Sequence, residues 1–200
     1  MFNRISADAF KSIQKNAGML CTDFDPANPA EIADDKIITA TTGGIQISAV
    51  PTFEDFGADI DNCPNNTKEL KQITEWVCTI GSTALNPTAK FLKMALGAAD
   101  IDGSKVTPRA ELKLTDFETI WWVGPRVDGG FVAAKLFNAL STSGLSMQTT
   151  KGGKATLPFT LTGHVSIDNT DIIPMEFYSI DGETESEADP NEEEADPNAV

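Results

Sequence analysis

The stretch FETIWWVGP, residues 117–125, places two tryptophans side by side in a segment typical of a β-strand. Adjacent side chains of a strand point to opposite faces of its sheet, so Trp121 and Trp122 cannot both enter one core. One indole therefore needs a second apolar partner. That partner is either another part of the same chain, such as a helix or the N-terminal arm, or another copy of the protein.

The residues that follow predict more strands. FVAAKLFNAL (131–140) is apolar on both faces, which favours a strand that is covered on both sides. KATLPFTLTGHVSI (154–167) alternates apolar and polar residues throughout, which predicts one long strand with a single polar face. The polar face would consist of Thr156, Thr160, Thr162, His164 and Ser166.

The linker QTTKGGKAT sets the register between these strands. A two-residue Gly-Gly loop would mix the apolar and polar faces, whereas a three-residue loop, Lys151–Gly153, pairs Leu145 with Phe159 and Met147 with Leu157. We therefore predict a three-stranded antiparallel meander over residues 131–167. A final strand around 174–179 closes it.

The first half of the chain predicts a second group of strands. KIITATTGGIQISAVPTF favours a hairpin that turns at Gly43-Gly44, and TEWVCTIGSTAL favours a strand with Trp76, Cys78 and Ile80 on one face. Between them, a long polar loop from Thr52 to Asn66 carries Phe53 and Phe56.

Two segments have helical signals. PTAKFLKMALGAA predicts an α-helix that Pro87 opens and that ends near Gly97, and residues 6–16 predict a short N-terminal helix. The predicted fold is mainly β, an antiparallel β-sandwich or open barrel with one flanking α-helix and that short N-terminal helix. We divide the chain into a helix and extended arm (1–35), a β-sandwich domain (36–180) and a disordered acidic tail (181–200).

Charge argues against nucleic-acid readout. Residues 181–200 carry nine acids and no base, which leaves 21 acids and 15 bases for residues 1–180. Proteins that read DNA or RNA sequence show basic patches, and this surface repels phosphate. No apolar run of about 18 residues predicts a membrane-spanning helix, and the N-terminal residues lack the apolar block of a secretory signal, so synthesis is expected to end in the cytoplasm.

Catalysis and cofactor binding have little support in the residue pattern. The three cysteines are widely spaced and form no CxxC pair, and His164 is the only histidine. Asp100, Asp102 and Glu111 match part of a calcium-loop pattern, but Lys105 stands where that loop needs glycine, so cation binding there stays an open question. Asp55, Asp59 and Asp61 favour a solvated loop, and we expect no enzyme.

The ordered segments, taken as a set, resemble a known family. TTGGIQISAVPTFEDFGADIDNCPNNTKELK, TAKFLKMALGAADI, VTPRAELKLTDFETIWWVGPRVDGGFVAAKLFNALSTSGLSMQTT and FTLTGHVSI are similar to the major tail protein, or tail tube protein, of long-tailed phages and prophages of Gram-positive bacteria. The resemblance covers roughly residues 2–178 and is carried by whole segments instead of a short motif.

The resemblance implies a structural virion protein, made and assembled in the bacterial cytoplasm. About six β-sandwich subunits would close a ring, and stacked rings would form the tail tube through which double-stranded DNA passes without sequence-specific binding. Other tail proteins, such as the tape measure and the tail terminator, would be partners. Trp121, Trp122, Phe53 and Phe56 would form assembly contacts, the polar face at 156–166 would line the bore, and Trp122→Ala or deletion of residues 52–66 would leave a folded monomer that cannot polymerise.

The competing interpretation is a monomeric β-sandwich binding module that recognises a carbohydrate or a protein. Tyr178 is the only tyrosine, and two of the three tryptophans lie in predicted strands, so an exposed aromatic platform is hard to assemble. Self-assembly of the purified chain would discriminate between the two classes.

Overall fold

The structure, a computed structural model, describes residues 7–29 and 31–182 and is mainly β with a single α-helix in those ranges. The helix is α1 (Ala89–Leu96), which Thr88 caps by accepting a hydrogen bond from the Phe91 amide. The strands are β1 (Met19–Cys21), β2 (Thr41–Asp55), β3 (Lys71–Ala84), β4 (Ala99–Asp102), β5 (Lys105–Pro108), β6 (Glu118–Pro125), β7 (Phe131–Ser141), β8 (Leu157–Thr162) and β9 (Met175–Ile180).

Strand β7 joins two halves of one antiparallel sheet. The order is β1-β6-β7-β8-β3-β2, and β9 also pairs with β7. On one edge β7 pairs with β6; on the other, residues 131–136 pair with β9 while Leu140 and Ser141 pair with β8. This arrangement is consistent with the predicted β-sandwich or open barrel, and β4 and β5 form a separate hairpin.

The main core lies between the two halves and under α1. The ring of Phe91 on the helix meets that of Phe159 on β8 edge-on, with centroids 5.3 Å apart. The predicted helix is therefore confirmed, as is the alternation in β3 that turns Cys78 and Ile80 inward. The other members of this core include Leu20, Ile120, Trp122, Ala134, Leu136, Leu157, Leu161 and Met175.

The two tryptophans lie on opposite faces of β6, as strand geometry predicts. Trp122 is in the main core, and its indole Nε1 donates a hydrogen bond to the Ala17 carbonyl over 2.9 Å. Trp121 lies in a second cluster, where the ring of Phe24 packs against it edge-on at 5.6 Å. Of the alternatives, cover by the N-terminal arm of the same chain is confirmed, and cover by a helix is wrong.

The predicted hairpin at Gly43-Gly44 is wrong. Both glycines lie inside β2, with φ of 77° and 87°, and form a bulge between the pairs Thr42–Thr83 and Ile45–Ser82. A positive φ suits a tight turn and a bulge equally well, so the local pattern could not separate them. Continuous pairing with β3 is favoured over a turn at the two glycines, because this ladder extends along all of β2 and directs Ile45 and Ile47 toward the core.

The predicted long strand and meander are also wrong in part. Strand β8 ends at Thr162 instead of continuing to residue 167. In the β7–β8 register, residues 166 and 167 would face Leu136 and Lys135, which pair with β9 instead. The bridge between Gln148 and Thr156 matches the register of the three-residue loop, but residues 142–147 form no strand. The closing strand is confirmed as β9.

The N-terminal segment differs most from the prediction. A short 3-10 helix, Ala7–Phe10, replaces the expected helix over 6–16, and Ser6 lies outside the described residues. Backbone hydrogen bonds from Lys15 to Pro125 and from Val127 to Ile13 hold the following residues extended along the β6–β7 turn. The arm also supplies β1, which pairs with β6. Residues 183–200, most of the predicted acidic tail, lie outside the described ranges.

Candidate assembly surfaces

Where β8, β3 and β2 lie side by side, their outward face carries no charged side chain. The registers place its side chains in three rows opposite the buried Ile80, Phe159 and Leu161. The rows are Thr162–Thr79–Ser48, Thr160–Gly81–Gln46 and Pro158–Thr83–Thr42. We call these nine positions the neutral face.

The neutral face includes only two of the five residues predicted to share a polar strand face. Thr160 and Thr162 belong to it, and the Thr162 hydroxyl lies 2.9 Å from that of Thr142. Thr156 lies at the isolated bridge before β8. His164 and Ser166 follow the end of the strand; the ring Nδ1 of His164 is 3.1 Å from the Asn138 carbonyl. Sequence reasoning missed β2 and β3 here because pairing partners are not visible in a local pattern.

The distal part of the β2–β3 hairpin pairs with no third strand among the described strands, although Trp76 packs on the main core. Strand β3 pairs with β8 only from Thr79 onward, so residues 50–55 and 71–77 have only each other as ladder partners. We call residues 50–77 the hairpin arm. The predicted loop therefore begins later than expected, after Asp55, because residues 52–55 are strand.

The arm exposes apolar side chains. Phe53 and Phe56, both predicted assembly residues, have exposed fractions of 54% and 52%. The other exposed apolar residues of the arm are Val50, Ile60, Ile73 and Val77. A two-stranded ribbon is marginally stable in water, and a cluster of exposed apolar side chains indicates a surface that binds another surface.

Trp121 and Trp122 are buried, so neither indole is exposed for contact with another subunit. Their exposed fractions are 5% and 8%, because the chain's own N-terminal arm and core cover them. Either indole could contact another subunit only after the arm moved. Of the four predicted assembly residues, the structure thus brings only Phe53 and Phe56 to the surface.

Asp55 closes the loop at the tip of the arm. Its carboxylate accepts hydrogen bonds from the Asn66 amide at 2.8 Å and the Gly57 amide at 3.0 Å. These two bonds, more than the nearby Lys71 ammonium, hold the pKa of Asp55 below its ordinary value. Asp55 is therefore a structural residue of the tip.

We expect the loop at the tip of the hairpin arm to lose hydrogen bonds in acid. Because the folded pKa of Asp55 is lowered, its contribution to stability is complete above the ordinary pKa of 3.8 and is lost as the pH falls through the lower, folded pKa. We expect the Asn66 and Gly57 amides to lose hydrogen-exchange protection in that window. Asp55→Asn should reduce their protection already at about pH 6, well above that window, whereas Asp59→Asn, at an exposed position of the same loop, should not. Equal protection in both variants would contradict the assignment.

The residues of the partial calcium-loop pattern form a hairpin, and one of their carboxylates contacts positively charged side chains of the same chain. Asp100 and Asp102 lie on β4, and the chain turns at once into β5. The Asp100 carboxylate lies 2.9 Å from Arg109 Nε, and the Arg109 guanidinium also binds the buried Asp116 through two hydrogen bonds. Among the described residues, no group of three or more His, Cys, Asp or Glu side chains is arranged to hold a metal ion.

Neither the models of known protein families nor the curated proteins include one that matches this chain. None of the described helices is long and apolar enough to cross a membrane.

Proposed function

We propose that this chain is a structural virion protein that self-assembles into stacked rings, the tail tube of a long-tailed phage, through which genome DNA passes. The observation that carries the proposal is the hairpin arm, whose exposed Phe53 and Phe56 belong to neither apolar cluster of the subunit. In this role the chain has no catalytic residue, and its location is the virion tail.

The arm supports contacts between rings. Six residues of β2, from Val50 to Asp55, span about 20 Å at the usual rise of a strand. A ribbon of that length with exposed apolar side chains offers a surface for a neighbouring subunit, and burial there would offset the marginal stability of the ribbon in isolation. The acidic residues of its tip keep the monomer soluble before assembly.

Two sheet edges support closure within a ring. Among the described strands, β2 has a partner on one side only, and β9 pairs only with β7. Their sequences differ, so an interface between the two edges would be heterologous, which is the type of contact that a closed rotation repeats around a ring. Backbone pairing between edges would also satisfy groups that otherwise only water satisfies.

The neutral face supports a passive bore. Nine positions without lysine or arginine offer phosphate no counterion release, so DNA would slide past without being held. Hydroxyl and amide groups would keep the wall wet, whereas an apolar wall would promote association of subunits in the wrong orientation.

Electron microscopy of the purified chain tests the proposal directly. We expect rings or hollow tubes in negative stain at high protein concentration and moderate salt, where the acidic repulsion is screened. A chain that stays monomeric with and without a tail initiator complex would overturn the proposal, and would favour a monomeric binding module.

Charge on the neutral face should determine whether DNA is held. In Thr79→Lys/Thr160→Lys tubes we expect tighter DNA retention, with the slope of log affinity against log salt steeper by about 0.9 for each phosphate that the new lysines neutralise. Ile101→Lys/Val106→Lys, a pair on the β4–β5 hairpin, adds the same charge elsewhere. Equal retention of DNA by the two double variants would argue against the neutral face as the bore.

A further inference from the structure

The loop at the tip of the hairpin arm combines apolar and acidic side chains. Residues 55–67, which we call the arm tip, carry three acids and no base. Asp59 and Asp61 are exposed, and so are the neighbouring Phe56 and Ile60, with exposed fractions of 52% and 53%. Such a surface favours a partner surface on which apolar side chains lie beside positive charge.

A second segment of the chain carries the opposite charge. Residues 129–167 contain three lysines and no acid, although 30 of the 200 residues of the chain are acidic. Two of these lysines, Lys151 and Lys154, are exposed in a short hairpin that the bridge between Gln148 and Thr156 closes. Positive charge without a neighbouring acid in the sequence is therefore concentrated in this hairpin.

The same hairpin exposes apolar side chains at its base. Leu145 and Met147 have exposed fractions of 37% and 57%, and neither belongs to an apolar cluster of the subunit. We call residues 145–156 the basic hairpin. Its combination of exposed apolar groups and positive charge complements that of the arm tip.

The arm tip and the basic hairpin lie at opposite ends of the sheet. Strand β2 ends at Asp55, which pairs with Lys71 at the start of β3, so the arm tip follows that end of the ladder. At the other end of β3, Ala84 pairs with Leu157, the residue that directly follows the basic hairpin. The 14 residues of β3 span about 40 Å between these two ends. The two surfaces of one subunit are therefore too far apart to meet, whereas those of two subunits can meet.

We propose that the arm tip of one subunit docks on the basic hairpin of a subunit in the next ring, with their apolar side chains in contact and their opposite charges paired. The contact is heterologous and head-to-tail, so it repeats along the strand direction without closing, as stacked rings require. It uses the ends of the strands and leaves the edges of β2 and β9 free to close each ring. The inference rests on the proposed function and adds to it the surface that receives the arm.

Reversal of the charges on either surface tests the contact. In Lys151→Glu/Lys154→Glu and in Asp59→Lys/Asp61→Lys, like charges would face each other across the contact. We expect these variants to form single rings, and to form tubes only at a protein concentration at least about tenfold higher than the native chain needs. The variant with all four substitutions pairs opposite charges again and should form tubes at the native concentration. Negative-stain electron microscopy over a dilution series measures both.

A matched control separates this contact from net charge. Lys105→Glu/Lys113→Glu makes the same change of charge at exposed positions outside both surfaces and should keep normal tubes. Normal tubes from either reversal alone, no recovery in the combined variant, or an equal loss in the control would overturn the contact while leaving self-assembly standing. Absence of rings and tubes from the native chain would overturn the proposed function and this inference with it.

Discussion

Trp122→Ala is expected to lower the free energy of unfolding by about 3–5 kcal/mol. The indole lies in the main core, and its Nε1 donates a hydrogen bond to the Ala17 carbonyl, which fixes the N-terminal arm to β6. Truncation leaves a cavity too large to collapse and frees that carbonyl. Urea denaturation followed by circular dichroism measures the change.

Two matched variants separate burial from aromatic character. Phe53→Ala removes an aromatic ring that is half exposed, so we expect a change within about 0.5 kcal/mol. Trp122→Phe keeps most of the side-chain volume but loses the hydrogen bond. Its loss of unfolding free energy should therefore lie between those of Trp122→Ala and Phe53→Ala. A Trp122→Ala protein as stable as Phe53→Ala would contradict the assignment of Trp122 to the core. The sequence-based expectation for Trp122→Ala was a folded monomer that cannot polymerise; because Trp122 is buried in the main core, we expect a loss of fold stability as the main effect.

Replacing residues 52–75 by Asn-Gly is expected to abolish self-assembly and to leave the body folded. The replacement removes most of the hairpin arm, and Pro51 and Trp76, which face each other across the ladder, become the last pair before a two-residue turn. The pairs between β3 and β8 remain, so the core keeps its sheet. Electron microscopy measures assembly, and thermal unfolding checks the fold.

The structure also explains why the deletion of residues 52–66 is a poorer experiment. That deletion removes one strand of the arm and leaves residues 71–75 without their partners. A finer test is Phe53→Ser/Phe56→Ser, which should weaken assembly strongly. Leu112→Ser/Leu114→Ser removes apolar side chains with exposed fractions of 52% and 90% outside residues 50–77, and should have little effect. Normal tubes from the shortened chain would rule out the arm as an assembly contact.

Strong local patterns predicted their elements correctly. Helix α1 combines a Pro87 start, a Thr88 cap, an apolar stripe and a Gly97 end, so its signals agree with one another. The alternation of Leu157, Phe159 and Leu161 identified the buried face of β8, and the adjacent tryptophans were assigned to opposite faces. These properties depend on the geometry of a single segment.

The sequence did not predict properties that depend on which strand pairs with which. The bulge at Gly43-Gly44, the extra strand β1 and the early end of β8 each depend on how one strand pairs with another. The neutral face shows the same limit, since Thr160 was predicted to be on a polar face, but its neighbours across β3 and β2 were not.

The sequence by itself determined the β-rich class, the helix α1, the opposite faces of the two tryptophans and the uneven distribution of charge. Only the tertiary structure decided that Trp121 is covered by the N-terminal arm, that Phe53 and Phe56 stand on an exposed ribbon, and that the arm tip and the basic hairpin lie at opposite ends of the sheet. The physical reason is range: periodicity and capping act within a few residues, whereas pairing, burial and ionic contacts join residues far apart in the chain.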